Sequence, residues 1–124
     1  MKNHNRIALT RELPGDLDTP VSAYLKLAHQ PYSFLFESMV GGEQWGRYSF
    51  IGLPSREVLR VVGEDLTVTR DGEVIERAQL VDPMPWIRAY AARYRVQPDA
   101  SLPRFSGGLV GYFGYDCVRY FEPK

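Results

Sequence analysis

Residues 33–53 read SFLFESMVGGEQWGRYSFIGL. Aromatic and apolar residues flank a polar connection that carries Gly41, Gly42 and Gly46, the pattern of two antiparallel strands joined by a longer hairpin loop. The strands are SFLFESM (33–39) and RYSFIGL (47–53), with seven residues between them. Pairing that is symmetric about the loop sets Met39 opposite Arg47, Ser38 opposite Tyr48 and Glu37 opposite Ser49. Side chains alternate along a strand, so this register gives one face to Phe34, Phe36, Ser38, Tyr48 and Phe50. The other face receives Glu37, with Arg47 as a diagonal neighbour. Glu37 and Ser38 interrupt an otherwise greasy strand, and a desolvated carboxylate is costly unless something compensates it. Glu37 therefore needs a partner, solvent, or a site to face. A core hairpin with one satisfied ion pair and a polar edge belonging to a binding site both fit the pattern.

Outward from this hairpin, the chain reads as alternating short elements. On the N-terminal side, Arg6 to Leu13 alternates enough to predict a short strand, broken at Pro14-Gly15. Thr19-Pro20 opens a helix, with threonine as N-cap and proline in the first turn, where its missing N–H costs nothing. Val21, Tyr24, Leu25 and Ala28 then form an apolar stripe at helical spacing for the core, ending at His29 and Pro31. On the C-terminal side, Pro54 interrupts and Glu57–Val62 is a strand. Leu66–Arg70 and Glu73–Arg77 flank Asp71-Gly72, a type I′ turn signal, and make a second hairpin. Its residues Thr67, Thr69, Arg70, Glu73 and Glu76 are expected in solvent, as an edge ribbon without chemistry. Asp82-Pro83 repeats the cap-then-proline device ahead of a helix with the stripe Trp86, Ile87, Tyr90, Ala91 and Tyr94. Arg88, Arg93 and Arg95 are expected as surface residues that offset the helix dipole. A connector over 96–104 leads to FSGGLVGYFGYDCVRYFEPK. There Gly107, Gly108, Gly111 and Gly114 mark close backbone approach or a bend, and YDCVRYFE forms a short helix. The whole is an α+β arrangement, mostly antiparallel sheet with two to three helices.

The chain has 124 residues, enough for one domain or a piece of a larger one. Fifteen basic and fifteen acidic side chains cancel, so no global field recruits nucleic acid or an anionic membrane. Cys117 is the single cysteine, which suits a reducing cytoplasm, and no apolar run is long enough for a bilayer. The N-terminal stretch has no apolar core of a signal peptide. Catalytic groups are scarce. His4 and His29 are the only imidazoles, carboxylates do not fall at metal-ligand spacing, and Cys117 has no base beside it in sequence. The glycine-rich block lacks both GxGxxG and GK[ST], so it is not a phosphate loop.

Three blocks, TPVSAYLKL, SFLFESMVGGEQWGRYSFIGL and FSGGLVGYFGYDCVRYFE, resemble in order and spacing the N-terminal region of anthranilate synthase component I, a chorismate-utilising family. The likeness runs from Asp18 almost to the last residue. It implies the N-terminal part of a two-sheet sandwich, with residues 1–124 as a fragment of that domain and the C-terminal chorismate-binding portion absent. It also implies conversion of chorismate and ammonia to anthranilate and pyruvate. Ammonia would come from glutamine through an amidotransferase subunit, component II, and Mg²⁺ would sit on ligands outside this chain, so no catalytic residue is carried over. The segment matching LFES implies part of an L-tryptophan feedback site at Ser38 and Glu37, with Pro20 as an outer candidate and Phe36, Tyr48 or Phe50 as an indole wall. The chemistry is apt, since an amino acid offers an ammonium to a carboxylate and an apolar ring to an aromatic face. Two alternatives stay open: aminodeoxychorismate synthase component I of the folate pathway, and a non-catalytic amino-acid-binding module.

Overall fold

In the computed structural model, residues 4–37, 48–103 and 105–122 are described. Among them the element order is α1 (Pro20–Leu27), β1 (Phe34–Phe36), β2 (Phe50–Gly52), β3 (Glu57–Val62), β4 (Asp65–Arg70), β5 (Glu73–Gln79), α2 (Met84–Ala91) and a 3₁₀ helix (Tyr115–Tyr120). Strands β1 and β2 form a two-stranded antiparallel sheet, and β3, β4 and β5 form a second sheet in that order. This is the α+β architecture expected, with two small sheets. The chain divides into two compact units, one of Glu12–Arg60 with Thr67–Ala78, the other of Met1–Arg11, Val61–Leu66 and Gln79–Lys124.

In the first unit, α1 starts as its residues dictate. Thr19 is extended and its hydroxyl accepts from the Ser22 backbone N–H, while the Ser22 hydroxyl accepts from the Thr19 N–H, a reciprocal capping box. The predicted core stripe is only partly realised. Ala28 is buried and Tyr24 half-buried, whereas Val21 and Leu25 are 47% and 55% exposed, because no described residue covers that side of the helix.

The hairpin has the predicted register: Phe34 pairs with Gly52, Leu35 with Ile51 and Phe36 with Phe50. Between helix and strand, Tyr32 takes a left-handed conformation at φ 62°, rare for a bulky residue. Its carbonyl accepts the Ser55 N–H at 3.0 Å, which closes the base of the hairpin.

The second sheet differs from expectation in one respect. Asp71 (φ 53°) and Gly72 (φ 87°) make the predicted turn, the double positive φ of type I′. However, β4 lies at the centre of its sheet, and of the two strands of this hairpin β5 alone is an edge. A second two-residue turn, Gly63-Glu64 with positive φ at Gly63 alone, folds β3 back beside β4. Central placement buries Leu66 and Val68 completely and leaves Thr67 and Thr69 half-buried rather than fully solvated, and Glu76 on the edge strand β5 is half-buried as well. At the Asp71 end of the sheet Arg56 grips Asp71 through two hydrogen bonds, and Arg70 binds Glu57 at 2.8 Å.

In the second unit, α2 begins one residue later than predicted. Pro83 occupies the cap with helical dihedrals, and Asp82 Oδ1 accepts from Met84 N–H at 2.9 Å from one position further out. The aromatic stripe is structural. Trp86 and Tyr90 stack at 5.2 Å, and Tyr90 is buried. Arg93 is not simply a surface charge: its guanidinium lies 4.7 Å from the Tyr90 ring centre and 5.4 Å from that of Trp86. The predicted strand over Arg6–Leu13 reduces to a single parallel bridge from Arg6 to Val96. Ile7 and Leu9 face solvent, so their alternation has no covered face to stabilise a longer strand. Gly107 and Gly108 both have φ 139°, which requires glycine, while a Cβ at 107, 108, 111 or 114 would meet nothing. Glycine is thus needed at 107 and 108 for backbone conformation, and among the described residues nothing approaches any of the four closely. The short helix after them is 3₁₀, and the Tyr120 hydroxyl donates to the Gly63 carbonyl at 3.1 Å.

Candidate functional site

The candidate site is built on α1 and the β1–β2 hairpin, which α1 touches along both strands. Alternation in the observed register places Phe34, Phe36, Tyr48 and Phe50 on one side. The Phe34 and Phe36 rings are 4.7 Å apart and those of Tyr48 and Phe50 6.2 Å apart. Phe36 and Tyr48 are about half exposed, so the apolar wall is open at its outer end. Ser33, Leu35 and Glu37 follow the opposite phase. Glu37 stands exposed one residue beyond the last paired rung, Phe36 with Phe50. Ser38, Arg47 and the loop glycines lie outside the described residues, as does the proposed Glu37–Arg47 pair.

Pro20 is half-buried in the first turn of α1. One turn further on, the Tyr24 hydroxyl is 3.0 Å from Ser33 Oγ, and Ser33 Oγ donates to the Gln30 carbonyl at 2.6 Å. Tyr24 was legible in the sequence as part of an apolar stripe. Its hydroxyl contact was not, because the partner lies across a loop.

Around the start of α1, Lys26 Nζ meets Asp18 Oδ1 at 2.6 Å, and the Ser22 hydroxyl also reaches that oxygen. These donors, Lys26 first, hold the Asp18 carboxyl below its usual range. Across the second sheet, the Arg56 guanidinium does the same to Asp71. Both pairs are solvent-exposed and belong to local structure rather than to catalysis. Among the described residues no group of three His, Cys, Asp or Glu side chains converges to hold a metal ion, so these residues do not fit a Mg²⁺ centre. None of the described helices is long and apolar enough to cross a membrane. Cys117 is half-buried on the 3₁₀ helix.

Similarity to known proteins places this arrangement in context. The chain is 54% identical over 121 residues to anthranilate synthase component 1 of Pseudomonas putida, covering 98% of this chain and 24% of that protein. The corresponding protein of Neisseria meningitidis serogroup B is 51% identical over the same share of the chain, and that of Aquifex aeolicus 42%. No family model matches the chain, and no solved structure does. The chain thus spans about a quarter of the length of the curated relatives it matches. Over 98% of its residues the chain is similar to a stretch of anthranilate synthase component 1 that makes up about a quarter of that protein.

Proposed function

We propose that this chain is the N-terminal portion of an anthranilate synthase large subunit and carries part of its L-tryptophan feedback site. The observation that supports this best is the identity to component 1 proteins across nearly the whole chain, within which Glu37 of the LFES segment stands exposed. In this reading the full-length protein converts chorismate and ammonia to anthranilate and pyruvate in the cytoplasm. Chorismate and Mg²⁺ are held by residues beyond this chain. The ion, when bound, supplies Lewis acidity at the departing oxygen and an anchor for carboxylate. Glutamine-derived ammonia is delivered by a component II amidotransferase.

The role left to these residues is regulatory. Glu37 offers a carboxylate to the effector ammonium, Ser38 a hydroxyl, and the Phe36, Tyr48 and Phe50 rings a wall for an indole. The remaining surface of the pocket comes from the rest of the polypeptide, so the 124-residue chain alone binds tryptophan poorly. No observation favours the aminodeoxychorismate or free-standing module readings.

Complementation tests the assignment. The full-length gene should restore growth of a tryptophan auxotroph and not of a 4-aminobenzoate auxotroph; the opposite pattern rejects it. For the regulatory half-site, Ser38→Phe in the full-length enzyme should shift tryptophan inhibition to much higher concentration, and an unchanged inhibition curve would remove Ser38 from the site.

A further inference from the structure

Building on the feedback-site reading, we propose that Tyr24 is a positioning residue for that half-site, acting through Ser33 on the strand that delivers Glu37. A serine hydroxyl has one proton and two lone pairs. Ser33 spends its proton on the Gln30 carbonyl, which can only accept, at 2.6 Å. The 3.0 Å contact with Tyr24 therefore runs in one direction: the tyrosine donates and Ser33 accepts. The Tyr24 ring is held for this purpose, edge-on against His29 at 6.1 Å and half-buried on α1. Pro20 lies four residues before Tyr24, on the same side of the helix.

The link matters because of where Ser33 sits. It immediately precedes β1, and strand alternation puts Ser33, Leu35 and Glu37 in one phase, with about 13 Å of extended chain from Ser33 to Glu37. Among the described residues three rungs pair β1 with β2, and a two-stranded ribbon has little stability of its own. Glu37 lies one residue past these rungs, so its placement depends on how firmly the root of the strand is fixed. Two devices fix it. The left-handed Tyr32 takes the Ser55 N–H through its carbonyl, and Tyr24 clasps Ser33 from α1. The Tyr24 hydroxyl thus ties the helix that begins at Pro20 to the face of the strand that ends at Glu37.

The test uses the full-length enzyme with ammonium as nitrogen donor, measuring kcat, KM for chorismate, the L-tryptophan concentration giving half-inhibition, and tryptophan binding by equilibrium dialysis. Tyr24→Phe deletes one hydroxyl and keeps the ring. It should raise the half-inhibiting concentration and the dissociation constant for tryptophan by roughly three- to tenfold, with kcat and KM unchanged. Ser33→Ala should do the same. The double variant should match a single one rather than multiply their effects, since both remove the same bond. A role confined to stability would lower the melting temperature and leave the tryptophan response intact, and that result overturns the proposal. So does a parallel loss of kcat and inhibition. Glu37→Gln separates the two levels. If it weakens tryptophan inhibition while Tyr24→Phe does not, the site stands and the positioning role falls; if neither variant alters inhibition, the feedback reading falls with it.

Discussion

Phe34 and Gly52 face each other across the β1–β2 hairpin, and the Phe34 ring occupies the space a side chain at position 52 would need. A Cβ built on Gly52 would overlap the Phe34 ring at Cε1, Cδ1 and Cζ. The ring cannot simply swing aside, because Phe36 packs against it at 4.7 Å. Gly52→Ala should therefore destabilise the full-length protein by about 1–3 kcal/mol in urea unfolding. Adding Phe34→Leu should recover part of that loss, and strictly additive effects would show the ring and the glycine to be uncoupled.

Helix α1 depends on its reciprocal cap. Thr19→Ala removes the acceptor for the Ser22 N–H and should cost about 1 kcal/mol, whereas Thr19→Ser keeps the oxygen and should cost little. Urea denaturation of the two variants beside wild type checks the ordering, and equal losses would mean the methyl group rather than the hydroxyl is what matters.

Tyr32 pays for its left-handed backbone at φ 62°. Tyr32→Gly should be tolerated, since relief of the backbone cost offsets loss of an exposed ring. Tyr32→Val, with its branched Cβ, should lower stability by about 1–3 kcal/mol. Thermal melts that rank valine above glycine would show that this residue leaves the left-handed region.

The Arg56–Asp71 pair gives a pH signature of known sign. Arg56 lowers the folded-state pKa of Asp71, so the pair adds stability above the unfolded carboxylate range and loses it as pH falls through the lowered folded value. Asp71→Asn keeps a residue suited to positive φ while removing the charge and one of the two acceptor oxygens that Arg56 uses. The small stability difference between wild type and this variant should be greatest near neutral pH and vanish in strong acid. It should also shrink in high salt, because the pair is exposed. A difference that persisted unchanged at low pH would assign it to something other than the ion pair.

The local signals were legible wherever the chemistry of one short segment decides the outcome. Thr19-Pro20 fixed the start of α1, Asp71-Gly72 fixed the β4–β5 turn, and the symmetric pattern about residues 40–46 fixed the hairpin register, which is seen at Phe34–Phe36 and Phe50–Gly52. The Gly63-Glu64 turn carries an equally local sign, glycine at the first central position between the separate strands Glu57–Val62 and Leu66–Arg70. Arg93 is exposed as expected, but charge and position on a helix say nothing of the Tyr90 and Trp86 rings, about one and two turns back, that its guanidinium covers.

By itself, then, the sequence determined the likeness to component 1 proteins, and it determined the α+β class and most element boundaries because capping residues, turn glycines and strand alternation act over a few bonds. Tertiary structure alone decided that β4 is central, that Val21 and Leu25 stay uncovered, that the Phe34 ring fills the place of a side chain on Gly52, and that Tyr24 donates to Ser33. Each of these depends on which distant surface arrives at a residue, and backbone preference encodes the local path of the chain without naming that neighbour.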